Sequence, residues 1–67
     1  MSRLKFYRLQ AGLTQEQVVQ GAQLEVTPSA LSNWERGVNP PLPKYRKKLR
    51  AFFRATDEEL FGKENNA

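Results

Sequence analysis

The sequence predicts an all-α fold, a compact bundle of about five short helices. Apolar residues recur at spacings of three and four rather than two, which is the period of helices that bury one face. Threonine and proline start signals alternate with glycine stop signals, and they divide the chain into helix-sized segments. The 67 residues contain no internal repeat and suffice for one small domain.

The first predicted helix ends at Gly12 and carries an apolar stripe of Leu4, Tyr7 and Ala11. The second begins after Thr14, because Thr14 and Gln17 have the spacing of a capping box, in which each side chain bonds the backbone N–H of the other residue. Gly21 is expected to weaken or terminate the far end of this helix.

The third predicted helix runs from Pro28 to Arg36 and ends at Gly37. Thr27 suits the N-cap, and proline is tolerated at the first helical position because its missing N–H would be unpaired there anyway. Leu31 and Trp34 lie three residues apart and are expected to face inward. For Trp34, packing in the core is favoured over stacking on a base.

A proline-rich connector, residues 39–43, cannot be helical inside and separates the third and fourth helices. The fourth helix begins near Pro43, and its apolar side is predicted to hold Tyr45, Leu49, Phe52 and Phe53. Thr56 and Glu59 have the spacing of a second capping box, which opens a short fifth helix that Gly62 ends. We expect that helix to dock through Leu60 and Phe61. One residue among Leu42, Phe52 and Phe61 is a candidate for a surface dimer contact.

Composition argues against an enzyme. The chain has no histidine and no cysteine, which removes the commonest general base and the thiolate ligands of zinc, and it has no glycine-rich phosphate loop. Helix capping explains the acidic run Asp57-Glu58-Glu59. We therefore predict no catalytic residues, no metal and no cofactor. No apolar run approaches the roughly 18 residues of a membrane span, so a cytoplasmic protein is expected.

The net charge is +4, and the basic residues are clustered. Six of the 11 cations lie within 11 residues, namely Lys44, Arg46, Lys47, Lys48, Arg50 and Arg54. Such a cluster suits the neutralisation of phosphates. A solvated helix face explains the charge pattern equally well, and helical rotation prevents all six from facing one partner.

Three segments, in this order, resemble the Cro/CI repressor family of helix-turn-helix proteins, also called the XRE family. They are Arg8-Leu-Gln-Ala-Gly-Leu-Thr-Gln-Glu-Gln-Val18, Thr27-Pro-Ser-Ala-Leu-Ser-Asn-Trp-Glu-Arg-Gly37 and Asp57-Glu-Glu-Leu-Phe61. The resemblance spans residues 3–62. It implies a lambda-repressor-like bundle whose second and third helices form the helix-turn-helix. We accordingly predict a DNA-binding domain over 1–62 and a frayed tail at 63–67.

The resemblance also implies a function. It points to a sequence-specific, repressor-like transcriptional regulator that binds a double-stranded DNA operator, as a homodimer, in a bacterial or phage-infected cell. A different class of function stays open, a protein-interaction module that docks a partner through the helix-turn-helix surface. A steep fall of DNA affinity with added salt would distinguish the first from the second.

The chain departs from the family pattern at two places. The stretch from Val18 to Val26 is about two residues longer than usual, and we expect Leu24 or Val26 to fill the core from this longer turn. Val19 stands where the family favours alanine, which suggests slightly wider packing of the two helices.

The third predicted helix supplies the candidate base contacts, Pro28, Ser29, Ala30 and Asn33. Ser29 can donate or accept a hydrogen bond at a base edge, and Asn33 can pair bidentately with N6 and N7 of adenine. Pro28 and Ala30 offer apolar contact to a thymine methyl group. The alternative is that Ser29 and Asn33 are ordinary exposed polar residues.

The candidate phosphate contacts are Gln15, Arg36, Asn39, Lys44 and Arg46. Gln15 lies at the start of the second helix, where backbone N–H groups and the helix dipole favour an anion. The others lie at or just after the end of the third helix, which the resemblance places beside the DNA backbone. The resemblance also implies a partly buried, structural ion pair between Arg8 and Glu35.

Overall fold

The computed structural model describes residues 3–62, and within this range the chain forms five α-helices and no strand. They are α1 (Leu4–Gln10), α2 (Gln15–Gly21), α3 (Pro28–Arg36), α4 (Pro43–Phe53) and α5 (Asp57–Phe61). The predicted all-α fold of about five short helices is confirmed. The predicted frayed tail, 63–67, lies outside the described residues. Over 3–62, none of the helices combines the length and apolar character that a bilayer span requires.

The hydrophobic core draws one fully buried aliphatic side chain from each helix and one from the turn between α2 and α3. These side chains are Leu4, Val18, Leu24, Leu31, Leu49 and Leu60. Burial of each contributes roughly 1.5–3 kcal/mol relative to exposure. Tyr45, Phe52 and Phe53 pack against this core while half-buried. The core therefore joins all five helices and holds α3 from one side.

Three helices, α2, α3 and α5, start at the predicted threonines. The Thr14 hydroxyl accepts from the Gln17 N–H at 3.1 Å, and the Gln17 side chain accepts from the Thr14 N–H at 2.8 Å. Thr56 and Glu59 make the same reciprocal pair at the start of α5. Thr27 caps α3 by accepting from the Ala30 N–H at 3.3 Å. Both predicted capping boxes are confirmed.

Gly21 is the last residue of α2, and its role concerns packing. A Cβ atom placed on Gly21 would lie 2.8 Å from Cε1 of Phe52. Only a glycine therefore lets the end of α2 approach the aromatic ring on α4 at this distance.

The lengthened turn between α2 and α3 contains two left-handed residues that are not glycine, Gln23 at φ 54° and Glu25 at φ 57°. Between them, Leu24 is fully buried, whereas Val26 is only half-buried. Leu24 is thus the residue that fills the core from the turn. Lys48 of α4 donates to the carbonyl oxygen of Gln23 at 2.7 Å, which ties the turn to the bundle.

We expect Glu25→Gly to raise the free energy of unfolding by about 0.5–1 kcal/mol. The left-handed conformation costs a side-chain-bearing residue roughly 1–2 kcal/mol, and the greater freedom of glycine in the unfolded chain offsets part of the gain. Urea unfolding followed by circular dichroism measures the difference. Glu25→Ala is the control, because it removes the same exposed carboxylate and keeps the Cβ. A loss of stability in Glu25→Gly would contradict the assigned backbone conformation.

Candidate nucleic-acid interface

Helix α3 separates its residues into a buried side and an outer face. Leu31, Trp34 and Glu35 are buried, and Trp34 is 7% exposed with its ring 5.5 Å from that of Tyr45. The opposite side is what we call the outer face of α3, and it comprises Pro28, Ser29, Ser32, Asn33 and Arg36. Pro28, Ser29 and Arg36 are exposed there, and Ser32 and Asn33 are half-buried. The indole therefore anchors the helix from behind a row of short polar side chains.

A bidentate ion pair holds α3 against α1. Arg8 Nε lies 2.5 Å from Glu35 Oε2, and Nη2 donates to Oε1 at 3.2 Å. The exposed fractions of the two side chains are 11% and 3%. Arg8 Nη1 also donates to the carbonyl oxygen of Leu13 at 2.9 Å, so the guanidinium fixes the loop before α2 as well.

The Gln15 side chain takes part in this buried network. Its Nε2 donates to Glu35 Oε1 at 3.0 Å, and the side chain is half-buried. The amide thereby links the first residue of α2 to α3. Nε2 has a second N–H, and the backbone N–H of Gln15 lies at the start of α2, so this bond leaves the predicted phosphate contact of Gln15 possible on chemical grounds.

Two polar side chains on the outer face bond each other. Arg36 Nη2 donates to Asn33 Oδ1 at 2.6 Å, three residues apart and at the exposed surface. Asn33 is also held through its backbone, because its carbonyl oxygen accepts from the Val38 N–H at 3.0 Å. Gly37 ends α3 in the left-handed conformation at φ 76°, and this turns the chain away after Arg36.

The basic residues of α4 have different surroundings. Lys44 is exposed, with its ammonium 5.0 Å from the centre of the Tyr45 ring. Arg46 pairs with Asp57 at 3.3 Å and lies over the Phe61 ring at 5.1 Å. Arg50 approaches the same Asp57 carboxylate at 3.9 Å. The α4 cations are therefore distributed around the helix axis, and three of them, Arg46, Lys48 and Arg50, contact acceptors within the bundle.

The sequence from residue 4 to residue 60 matches a family model described as helix-turn-helix. The chain belongs to the Cro/CI-type helix-turn-helix family. This is a family of DNA-binding regulatory domains. No curated protein matched the sequence significantly. The match covers all of α1 to α4 and most of α5, and α2 and α3 form the helix-turn-helix.

The sequence of this helix-turn-helix domain did not predict four of its contacts between helices and turns. The sequence predicts a helix-capping role for Asp57, and in the structure its carboxylate also forms ion pairs with Arg46 and Arg50 of α4. The sequence places Lys48 in the basic cluster without a specific partner, and in the structure it donates to the turn carbonyl of Gln23. Gln15 was not expected to reach Glu35. No local spacing signals such contacts, because each joins segments that only the tertiary fold brings together.

Among residues 3–62 no group of three or more histidine, cysteine, aspartate or glutamate side chains has the arrangement of a metal site. The carboxylate nearest an arginine, Glu35, is already saturated by Arg8 and Gln15. What the arrangement can do is present hydrogen-bond donors, acceptors and positive charge to a polyanion.

Proposed function

We propose that this domain is a sequence-specific, repressor-like regulator of transcription that places α3 in the major groove of an operator. The observation that carries the proposal is the outer face of α3. Its short polar side chains project away from the core, while Leu31 and Trp34 anchor the opposite side. The major groove admits an α-helix and displays donors and acceptors that distinguish all four base pairs.

We assign the base contacts to Pro28, Ser29, Ala30 and Asn33. Ser29 lies in the first turn of α3, the part of a recognition helix that enters the groove most deeply. Asn33 lies one turn further along, and its carboxamide has the donor and acceptor that match N7 and N6 of adenine. Pro28 and Ala30 are small and apolar and suit contact with thymine methyl groups, although Ala30 is half-buried and also packs against the core.

We assign phosphate contacts to residues at the end of the outer face and beyond it: Gln15, Arg36, Asn39, Lys44 and Arg46. Asn39 and Lys44 are exposed beyond the end of α3. Arg46 is paired with Asp57 through Nη1 at 3.3 Å, so a phosphate competes with that carboxylate for the guanidinium. Such contacts set the register on the duplex without reading its sequence.

One such domain covers a single half-site of a few base pairs. Small domains of this kind therefore act as dimers on a pseudo-palindrome, with half-sites about one helical turn apart. Among the three candidate dimer contacts, Leu42 is 59% exposed, whereas Phe52 and Phe61 pack against the core. We accordingly propose a homodimer through the surface around Leu42, acting in the cytoplasm where bacterial DNA lies.

Selection of binding sites from random DNA tests this function directly, because it returns the operator and the half-site spacing together. We expect an enriched, two-fold related sequence and an affinity that falls steeply with salt. If the domain binds no DNA at low salt, the proposed function is wrong, and docking on a protein partner becomes the better hypothesis.

We expect Asn33→Ala to relax the preference at one base position of each half-site by about 1–3 kcal/mol. The physical reason is the loss of a bidentate amide contact to adenine. Dissociation constants on the selected site and on single-base variants measure the change. An unchanged preference at every position would show that Asn33 does not read a base.

We expect Lys44→Ala to weaken binding to all sequences about equally and to lower the salt slope by about one. The lost interaction is with a phosphate, and it carries no sequence information. Lys5→Ala is the matched control, because Lys5 is also an exposed lysine but lies on α1 and is not among the candidate phosphate contacts. A sequence-dependent loss in Lys44→Ala, or an equal loss in Lys5→Ala, would contradict a phosphate contact of Lys44.

A further inference from the structure

The hydrogen bond between Arg36 and Asn33 has a consequence for recognition. A carboxamide has an acceptor end and a donor end of nearly the same shape, so rotation by 180° exchanges them at little steric cost. Arginine has donors only and can bond only the oxygen. The contact of 2.6 Å therefore fixes Oδ1 of Asn33 on the Arg36 side and Nδ2 on the other side.

We propose that Arg36 is a positioning residue, which orients the Asn33 carboxamide for base readout before DNA is met. This inference rests on the proposed function, in which α3 is the recognition helix. The amide oxygen has a second lone pair, so it can accept from adenine N6 while it keeps its bond to Arg36. Nδ2 is then the group that donates to N7.

The backbone supports the same conclusion. Asn33 lies between the buried residues Leu31 and Trp34, and its carbonyl oxygen is bonded to the Val38 N–H. The side-chain torsions are therefore the remaining freedom of this residue, and the guanidinium restrains them. The contact is charge-assisted, which makes it stronger than a neutral hydrogen bond. Orientation before binding lowers the entropy lost when the base contact forms.

The competing assignment makes Arg36 a phosphate contact alone. The two assignments differ in what they predict for specificity. A phosphate contact weakens binding to every sequence by the same factor and reduces the salt slope. Substitution of a positioning residue changes the ratio of affinities for operators that differ at the base pair contacted by Asn33. The same substitution leaves that ratio unchanged when Asn33 has already been replaced.

The test uses the whole chain and compares the selected operator with the operator changed at the base pair that Asn33→Ala identifies. We expect Arg36→Ala to reduce the affinity ratio of these two sites by about threefold to tenfold, within the range of one base contact. In the Asn33→Ala background, Arg36→Ala should leave the ratio unchanged. Arg36→Gln retains an amide N–H that can reach Oδ1, so it should preserve more of the ratio than Arg36→Ala while lowering the salt slope equally.

Two outcomes overturn the inference, and they are distinguishable. If Asn33→Ala alters the preference and Arg36→Ala weakens both sites equally, Arg36 contacts phosphate only and the proposed function stands. If Asn33→Ala alters no preference, the base readout in the proposed function fails and the inference fails with it. Because the contact is at the surface, unfolding by urea should be nearly the same for all variants, which excludes loss of folding as the cause.

Discussion

We expect Glu35→Ala to lower the free energy of unfolding by about 3–5 kcal/mol, because the substitution leaves the buried guanidinium of Arg8 without its carboxylate. The side chain of Arg8 is only 11% exposed, so water cannot replace the lost partner without a structural change. Gln15 loses its acceptor at the same time. Urea unfolding, followed by circular dichroism, measures the effect.

Two further variants isolate the cause. Asp57→Asn removes the carboxylate of the more exposed pairs with Arg46 and Arg50, and it should cost less than about 1 kcal/mol. The double variant Arg8→Met with Glu35→Leu removes both buried charges and should recover part of the loss. Recovery stays incomplete because the Leu13 carbonyl and the Gln15 amide lose their partners. A loss in Glu35→Ala as small as that in Asp57→Asn would show that burial of the pair does not matter.

The helices were predictable because their signals are local. Thr14, Thr27 and Thr56 each act on N–H groups three residues away, so the starts can be located from short segments. The end of α2 could not be located from the sequence as closely as the helix starts. Glycine both weakens a helix and permits close packing, and the sequence alone does not show that Gly21 is the last helical residue and lies against the ring of Phe52.

The outer face of α3 was predictable for a similar reason, since helical periodicity places Ser29 and Asn33 opposite Leu31 and Trp34. The bond between Asn33 and Arg36 was not expected, although residues three apart on a helix can meet. Many side-chain conformations compete at a surface, and spacing alone does not select one of them. Contacts between segments that are distant in the sequence, such as that of Lys48 with Gln23, could not be predicted from local sequence patterns.

We expect Leu24→Ala to lower the free energy of unfolding by about 2–5 kcal/mol, as truncation of a buried leucine does. Leu24 is 0% exposed, so the substitution removes three side-chain carbons from a packed environment and leaves a cavity under the turn. A domain of this size has roughly 3–10 kcal/mol of stability in total. The variant should therefore populate the unfolded state measurably at room temperature, as circular dichroism would report.

Val26→Ala separates this role from a general sensitivity of the lengthened turn. Val26 is only half-buried, so its truncation should cost clearly less than that of Leu24. Leu24→Met keeps the side-chain volume and should cost below about 1.5 kcal/mol. Because the two left-handed residues, Gln23 and Glu25, flank Leu24, we expect the burial of its side chain to offset part of their backbone cost. If Val26→Ala lowered the free energy of unfolding as much as Leu24→Ala, then Val26 would stabilise the turn as strongly as Leu24 does. The position of α3 would in that case depend on both side chains.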